Sequence, residues 1–171
     1  QPASDKLGVL LPGMGAVGST VIAGVLAIRA GLGQPIGSLT QMGHIRLGKR
    51  TEGRNPLIRD LVPLASLEGL VFGGWDIFGG TMYDACTAAE VLDRHLLEQI
   101  KGELEQIKPF DGAFDPEFVK RLNGTHVKQG TRREMAEEIR KDIQAFKANN
   151  GLERAVMVNC CSTEVYIEPS D

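Results

Sequence analysis

The segment Leu7-Gly8-Val9-Leu10-Leu11-Pro12-Gly13-Met14-Gly15-Ala16-Val17-Gly18-Ser19-Thr20 constrains the fold of this chain more than any other. An apolar run leads into glycines at GxGxxG spacing, and a helical apolar pattern follows through Val17, Val21, Ile22, Val25, Leu26 and Ile28. The three glycines do different physical work. Gly13 permits a tight turn, Gly15 lets phosphates approach the backbone, and Gly18 lets helix and strand pack closely. Such a turn opens onto the unpaired N–H groups of a helix start, where the helix dipole also favours negative charge. The spacing therefore points to a dinucleotide pyrophosphate site. Glycine supplies 21 of the 171 residues, so the spacing alone also fits a purely structural strand-to-helix turn.

A chain of 171 residues is long enough for one cored domain and short for two. With 42% hydrophobic and 24% charged residues it falls in the folded class rather than the disordered one. A formal net charge of −3 argues against a nucleic-acid partner held by phosphate contacts. No run of about 18 apolar residues is present, so no membrane partner is expected. Gln1-Pro2-Ala3-Ser4-Asp5 has no signal-peptide apolar stretch, although a chain that does not open on methionine reads as processed or incomplete at its start. Cys86, Cys160 and Cys161 form neither an even disulfide framework nor a CxxC pair, and they read as reduced thiols of a cytoplasmic protein. A bond between the adjacent Cys160 and Cys161 needs a distorted turn, and no nearby histidine completes a metal site with them, so no metal is expected.

Along the chain, the first helix is predicted from Gly18 to Leu32, stopped by Gly31 and Gly33. Ser38-Leu39-Thr40-Gln41 is too short for a confident strand, and Gly43 to Arg50 reads as loop or short strand. Between His44 and Arg59 lie five Lys or Arg residues and a single acid, Glu52, which fits either a solvated flap or a mobile segment that approaches a phosphate. Gly69 to Ile77 reads as a buried strand whose carboxyl end shares an edge with Gly13. Asp76 at that end is either a ribose ligand or the cap of the turn that follows. A long helix is predicted from a Thr81 cap, with Asp84 at its third position, through Leu92, Leu96, Ile100 and Leu104 to Pro109. His95 on this helix reads as a surface residue. Asp115-Pro116 predicts a short helix start. Thr131-Arg132-Arg133-Glu134 is a capping box for a last helix that Asn149-Asn150-Gly151 stops. Arg154 to Val158 reads as a further parallel strand, with Asn159 to Glu164 at the ligand edge. A parallel strand this close to the chain end lacks the cover it needs, so the chain reads as a fragment.

Taken in order, Leu11 to Thr20, Gly37-Ser38-Leu39-Thr40-Gln41, Gly74-Trp75-Asp76-Ile77, Phe114-Asp115-Pro116-Glu117-Phe118 and Ser162-Thr163-Glu164 resemble the NAD-binding part of the myo-inositol-1-phosphate synthase family, also named inositol-3-phosphate synthase. The resemblance implies an α/β, Rossmann-like fold with a mostly parallel sheet and flanking helices. Residues 1–171 then form the N-terminal part of a split NAD-binding domain, and a downstream catalytic and oligomerisation domain lies beyond them. It further implies NAD as cofactor, D-glucose 6-phosphate as substrate, 1D-myo-inositol 3-phosphate as product, and a homotetramer. Oxidation, enolisation, aldol closure and reduction would follow one another without net redox change.

By that resemblance Gly13, Met14, Gly15, Ala16, Val17 and Gly18 form the pyrophosphate loop, and Asp76 and Ile77 lie at the adenosine side. Ala113 and Asn123 fall on further cofactor positions, as do Cys160, Cys161, Ser162 and Thr163 after the last strand. The family commonly carries Gly-Asn-Asn-Gly and Thr-Ala-Asn-Thr-Glu-Arg at the first and last of these places. Here Ala16-Val17 and Cys160-Cys161-Ser162-Thr163-Glu164-Val165 stand instead, which removes side-chain hydrogen bonds and leaves the backbone contacts. The family's catalytic lysines and phosphate ligands lie downstream of residue 171, so no catalytic residue is assigned here. Two other readings remain open from the residues: another NAD-dependent oxidoreductase, and a noncatalytic dinucleotide-binding module.

Overall fold

The computed structural model describes residues 6–117, 119 and 122–161. Its centre is strand β1 (Leu7–Pro12), which pairs in parallel with β2 (Leu70–Asp76) on one side and β4 (Ala155–Met157) on the other. The short β3 (Phe110–Asp111) pairs in parallel with the end of β2, so the four-stranded sheet runs β3-β2-β1-β4. This is the expected Rossmann-like α/β arrangement with helices on both faces, and it explains why β1 reads as an unbroken apolar run.

Alternate β1 residues serve opposite faces. Val9 and Leu11, with Phe72, pack under the helices α1 (Ala16–Arg29), α3 (Met82–Ala89) and α4 (Arg94–Leu104). Leu10 and Trp75 pack under Phe146 of α5 (Arg132–Asn150). The α5 side is made close by two glycines on neighbouring strands. A Cβ at Gly8 or at Gly73 would lie 2.9 or 2.7 Å from the Phe146 ring. The ring thus occupies space that any larger strand residue would take.

Local hydrogen bonds account for the helix ends. Helix α1 starts at Ala16, earlier than Gly18, and stops at Arg29, where its guanidinium donates to the Leu67 carbonyl. The single long helix predicted after Thr81 is instead two. Thr81 and Asp84 do form the capping box of α3, but Glu90 turns left-handed at φ 52° and ends it. Asp93 then caps α4 through the N–H groups of His95 and Leu96. Both pieces pack on α1. Asp115-Pro116 begins a turn, in which Asp115 accepts the Glu117 N–H. The α5 capping box and the Gly151 stop are present as expected.

Residues 33–69 contain α2 (Leu39–Met42), single 3-10 turns at Arg50–Glu52 and Ile58–Asp60, and an antiparallel bridge from His44 to Leu57. The basic side chains here are exposed, and Arg54 also meets Glu52 at 2.6 Å. Among the described residues no helix is long and apolar enough to cross a membrane.

Candidate functional site

Where β1 and β2 end at the carboxyl edge of the sheet, the Gly13 N–H donates to the Trp75 carbonyl at 2.8 Å and the chain then turns at φ +81°. Only glycine takes this angle without strain. A Cβ at Gly13 would also lie 2.7 Å from the Cys161 nitrogen, because the segment leaving β4 crosses over the turn. That segment extends the ladder beyond β4, with the Cys160 N–H donating to the Pro12 carbonyl at 2.8 Å. Gly18 packs back on the loop, where an added Cβ would stand 2.9 Å from the Gly13 carbonyl oxygen. Around Gly15 the same construction meets nothing within 4 Å, so the outer side of the loop is open.

Helix α1 begins at this opening with Gly15 as its N-cap, no side-chain cap and no acid in its first turn. Its first N–H groups have no intrahelical partner, and the helix dipole adds a partial positive charge. The nearby hydroxyls do not cover them: Thr20 Oγ1 donates back to the Ala16 carbonyl at 2.6 Å. Val17, in the first turn of α1, is 62% exposed.

Beside the loop lies a cleft of about 290 Å³ between the ends of β1 and β2 and the start of α3. Met14, Gly15 and Ala16 line one wall, Asp76, Phe78 and Pro109 another, and Ala85, Ala88 and Ala89 of α3 a third. Hollows of about 410 and 570 Å³ lie elsewhere, on α5 and at the amino end of the sheet, and neither is lined by a residue of the glycine turn. Asp76 lines the cleft and is also a turn cap, since its carboxylate accepts the Phe78 N–H at 3.0 Å. The two readings of Asp76 are therefore compatible in one geometry. Burial first, then the neighbouring Asp76 carboxylate, pushes the Cys161 thiol above its ordinary value. Hydrogen bonds from Thr81 hold the Asp84 carboxyl below its ordinary value, so Asp84 is anionic at the cleft wall.

The residues singled out from the sequence do not all converge on the cleft. Met14, Gly15, Ala16 and Asp76 meet in the cleft, Gly13 and Gly18 shape the turn, and Cys160 and Cys161 cover it. Ile77 supports the site from outside, its carbonyl accepting the His126 N–H and its side chain packing against Gly124. Ala113 and Asn123 are exposed on the segment after β3 and do not line the cleft. Ser162 and Thr163 lie outside the described residues. The sequence reading missed the small-residue face of α3. The signal was there, in alanines at 85, 88 and 89 directly after a cap adjacent to Asp76. Among the described residues no cluster of His, Cys, Asp or Glu could hold a metal ion.

A left-handed glycine turn, an uncapped helix start and a mainly apolar cleft with the carboxylates of Asp76 and Asp84 at its wall fit a dinucleotide. The family model for myo-inositol-1-phosphate synthase matches residues 7–171. Inositol-3-phosphate synthase 1 of Bacteroides thetaiotaomicron is 51% identical over 173 residues, covering 100% of this chain and 40% of that protein. Inositol-3-phosphate synthase isozyme 1 of Arabidopsis thaliana is 37% identical, covering 94% of this chain and 34% of that protein. The crystal structure of inositol-3-phosphate synthase from Caenorhabditis elegans superposes with a TM-score of 0.84 at 28% identity, covering 95% of this chain and 35% of that one. The chain thus spans two fifths or less of the length of these relatives. Matched by the family model from Leu7 onward, this chain belongs to the myo-inositol-1-phosphate synthase family and forms part of its NAD-binding region.

Proposed function

We propose that the whole protein to which these residues belong converts D-glucose 6-phosphate to 1D-myo-inositol 3-phosphate, and that residues 6–161 hold NAD for it. The observation that carries this reading is the Gly13 turn opening onto the uncapped start of α1 beside Asp76, within a chain of this family. Bound NAD would supply the chemistry of taking a hydride from the sugar phosphate and returning it later. The N–H groups at the start of α1 would donate to its pyrophosphate, and the bare Gly15 would let it come close. Asp76 would hold the adenosine ribose, and its negative charge, with that of Asp84 on the same cleft, would disfavour a 2′-phosphate. By the family resemblance Ala113, Asn123, Cys160, Cys161, Ser162 and Thr163 fall on further cofactor positions. The catalytic acid, base and phosphate clamp are supplied by residues other than these. The reading includes a homotetramer acting in the cytoplasm.

The test is to incubate the full-length protein with glucose 6-phosphate and NAD and to follow product by phosphorus NMR and NADH by absorbance. Inositol phosphate should form without stoichiometric NADH. Accumulation of NADH matched to oxidised substrate would instead establish a simple oxidoreductase.

A further inference from the structure

Asp76 is held from the face of the sheet opposite α3. The residue before it, Trp75, packs toward α5, where its indole N–H donates to Asp142 Oδ2 at 2.8 Å and its ring lies 5.9 Å from that of Phe110. The Trp75 backbone carbonyl accepts the Gly13 N–H at 2.8 Å, so one residue joins α5 to the glycine turn. The same Asp142 oxygen meets the buried Lys128 ammonium at 2.7 Å. The Lys128 backbone N–H donates to the Gly112 carbonyl at 2.8 Å, and the Gly112 N–H donates to the Asp76 carbonyl at 3.1 Å. A Cβ on Gly112 would stand 3.0 Å from the Asp76 carbonyl carbon, so this approach is close as well as bonded.

Two routes therefore run from one carboxylate of α5 to the peptide of Asp76, one through Trp75 and one through Lys128 and Gly112. Neither Asp142 nor Lys128 lines the cleft. A largely buried ion pair adds little stability over apolar residues of the same shape, and fixing geometry is the use to which it is suited. We infer that Asp142 is a positioning residue of the cofactor site: by holding Trp75 and Lys128 it fixes the end of β2, and so sets where the Asp76 carboxylate stands against the adenosine ribose and how strongly it opposes a 2′-phosphate. The inference rests on the NAD reading above.

The Asp76 carboxylate accepts the Phe78 N–H at 3.0 Å, so it moves with the backbone that Trp75 and Gly112 hold. The energy between two close charges changes steeply with their separation. Gly13 is reached by the same network, but the pyrophosphate is common to NAD and NADP, so a shift of the turn changes both affinities alike. Asp84, the other cleft carboxylate, is held by Thr81 at the start of α3 and lies outside both routes. The ratio of the two dissociation constants thus reports the placement of Asp76.

The experiment is calorimetric titration of the full-length protein with NAD and with NADP, for the unmodified protein, Asp142→Ala, Asp142→Asn and Trp75→Phe, each also in an Asp76→Asn background. A variant that is merely less stable has a smaller folded fraction, which scales both dissociation constants alike and leaves their ratio unmoved. Asp142→Ala should narrow the preference for NAD about threefold, and Trp75→Phe, which keeps a ring and loses the N–H, about twofold, within the worth of one hydrogen bond. Asp142→Asn still accepts from the indole and should narrow it less than Asp142→Ala. On Asp76→Asn none of them should narrow it further, because the group they position has lost its charge. If Asp142→Ala does not fold, Asp142→Asn and Trp75→Phe decide. An unmoved ratio in the folded variants, or equal narrowing with and without the Asp76 carboxylate, overturns the role given to Asp142 and leaves the cofactor reading standing. Absence of NAD binding by the unmodified protein overturns the cofactor reading, and this inference with it.

Discussion

The indole Nε1–H of Trp75 donates to Asp142 Oδ2 at 2.8 Å, and the same oxygen receives Lys128 Nζ at 2.7 Å. One carboxylate of α5 thereby ties down the end of β2, immediately before Asp76, and the segment that returns from His126. The Lys128 side chain is only 6% exposed, so its ammonium depends on that partner, with Glu138 at 3.8 Å as a weaker one. Asp142→Ala should therefore cost about 3 kcal/mol, since it leaves a buried charge and an indole N–H without their acceptor. Asp142→Asn keeps an acceptor for Trp75 and should cost less. Urea unfolding of both variants, with unchanged slopes, checks the order; equal stability of all three proteins would refute the dependence.

The two glycines at the ends of the turn should respond differently to a side chain. Gly15 faces open space at ordinary φ, so Gly15→Val should fold normally while blocking the phosphate approach, a loss of about 2 kcal/mol or roughly thirtyfold in Kd for NAD. Gly13→Ala should also unfold more easily, because it meets the Cys160–Cys161 backbone and sits at φ +81°. Melting temperature and NAD titration measured together separate the two cases.

Asp76→Asn keeps an oxygen for the Phe78 N–H, so the turn should survive. What changes is charge, and the preference for NAD over NADP should narrow by about 1 kcal/mol. An unchanged ratio of the two dissociation constants would remove Asp76 from the discrimination.

At the start of α5, Glu134 accepts both the N–H and the hydroxyl of Thr131 at 2.8 Å. The backbone bond, then the side-chain bond, holds its carboxyl below the ordinary value. A carboxyl depressed on folding stabilises at pH above its unfolded value, and that contribution is lost as pH falls through the folded one. Asp84 behaves alike at the start of α3. Amide exchange in the first turns of α3 and α5 should thus accelerate, relative to intrinsic rates, on acidification below the carboxylate range. Glu134→Gln should remove the acid dependence from α5 alone.

Much of this chain was legible residue by residue. The glycine turn, the capping boxes at Thr81 and Thr131, the Gly151 stop and the buried runs of β1 and β2 all rest on hydrogen bonds or side-chain alternation within a few residues, so their causes are printed in the local sequence. The family resemblance extended this to the identity of the region, through the order of Gly13, Ser38-Leu39-Thr40-Gln41 and Asp76. Tertiary structure alone decided the rest. Glu90 breaks a continuous apolar period because two short helices both fit α1, and a period cannot record that constraint. β4 joins β1 rather than β2 or β3, and this choice, made across more than 140 residues of chain, lays Cys160 and Cys161 over Gly13. The alanine face of α3 becomes a cleft wall only because the end of β2 delivers it opposite Met14. His126 and Lys128 acquire partners in Asp111 and Asp142 from sheet order and helix placement, which no local hydrogen-bonding rule specifies.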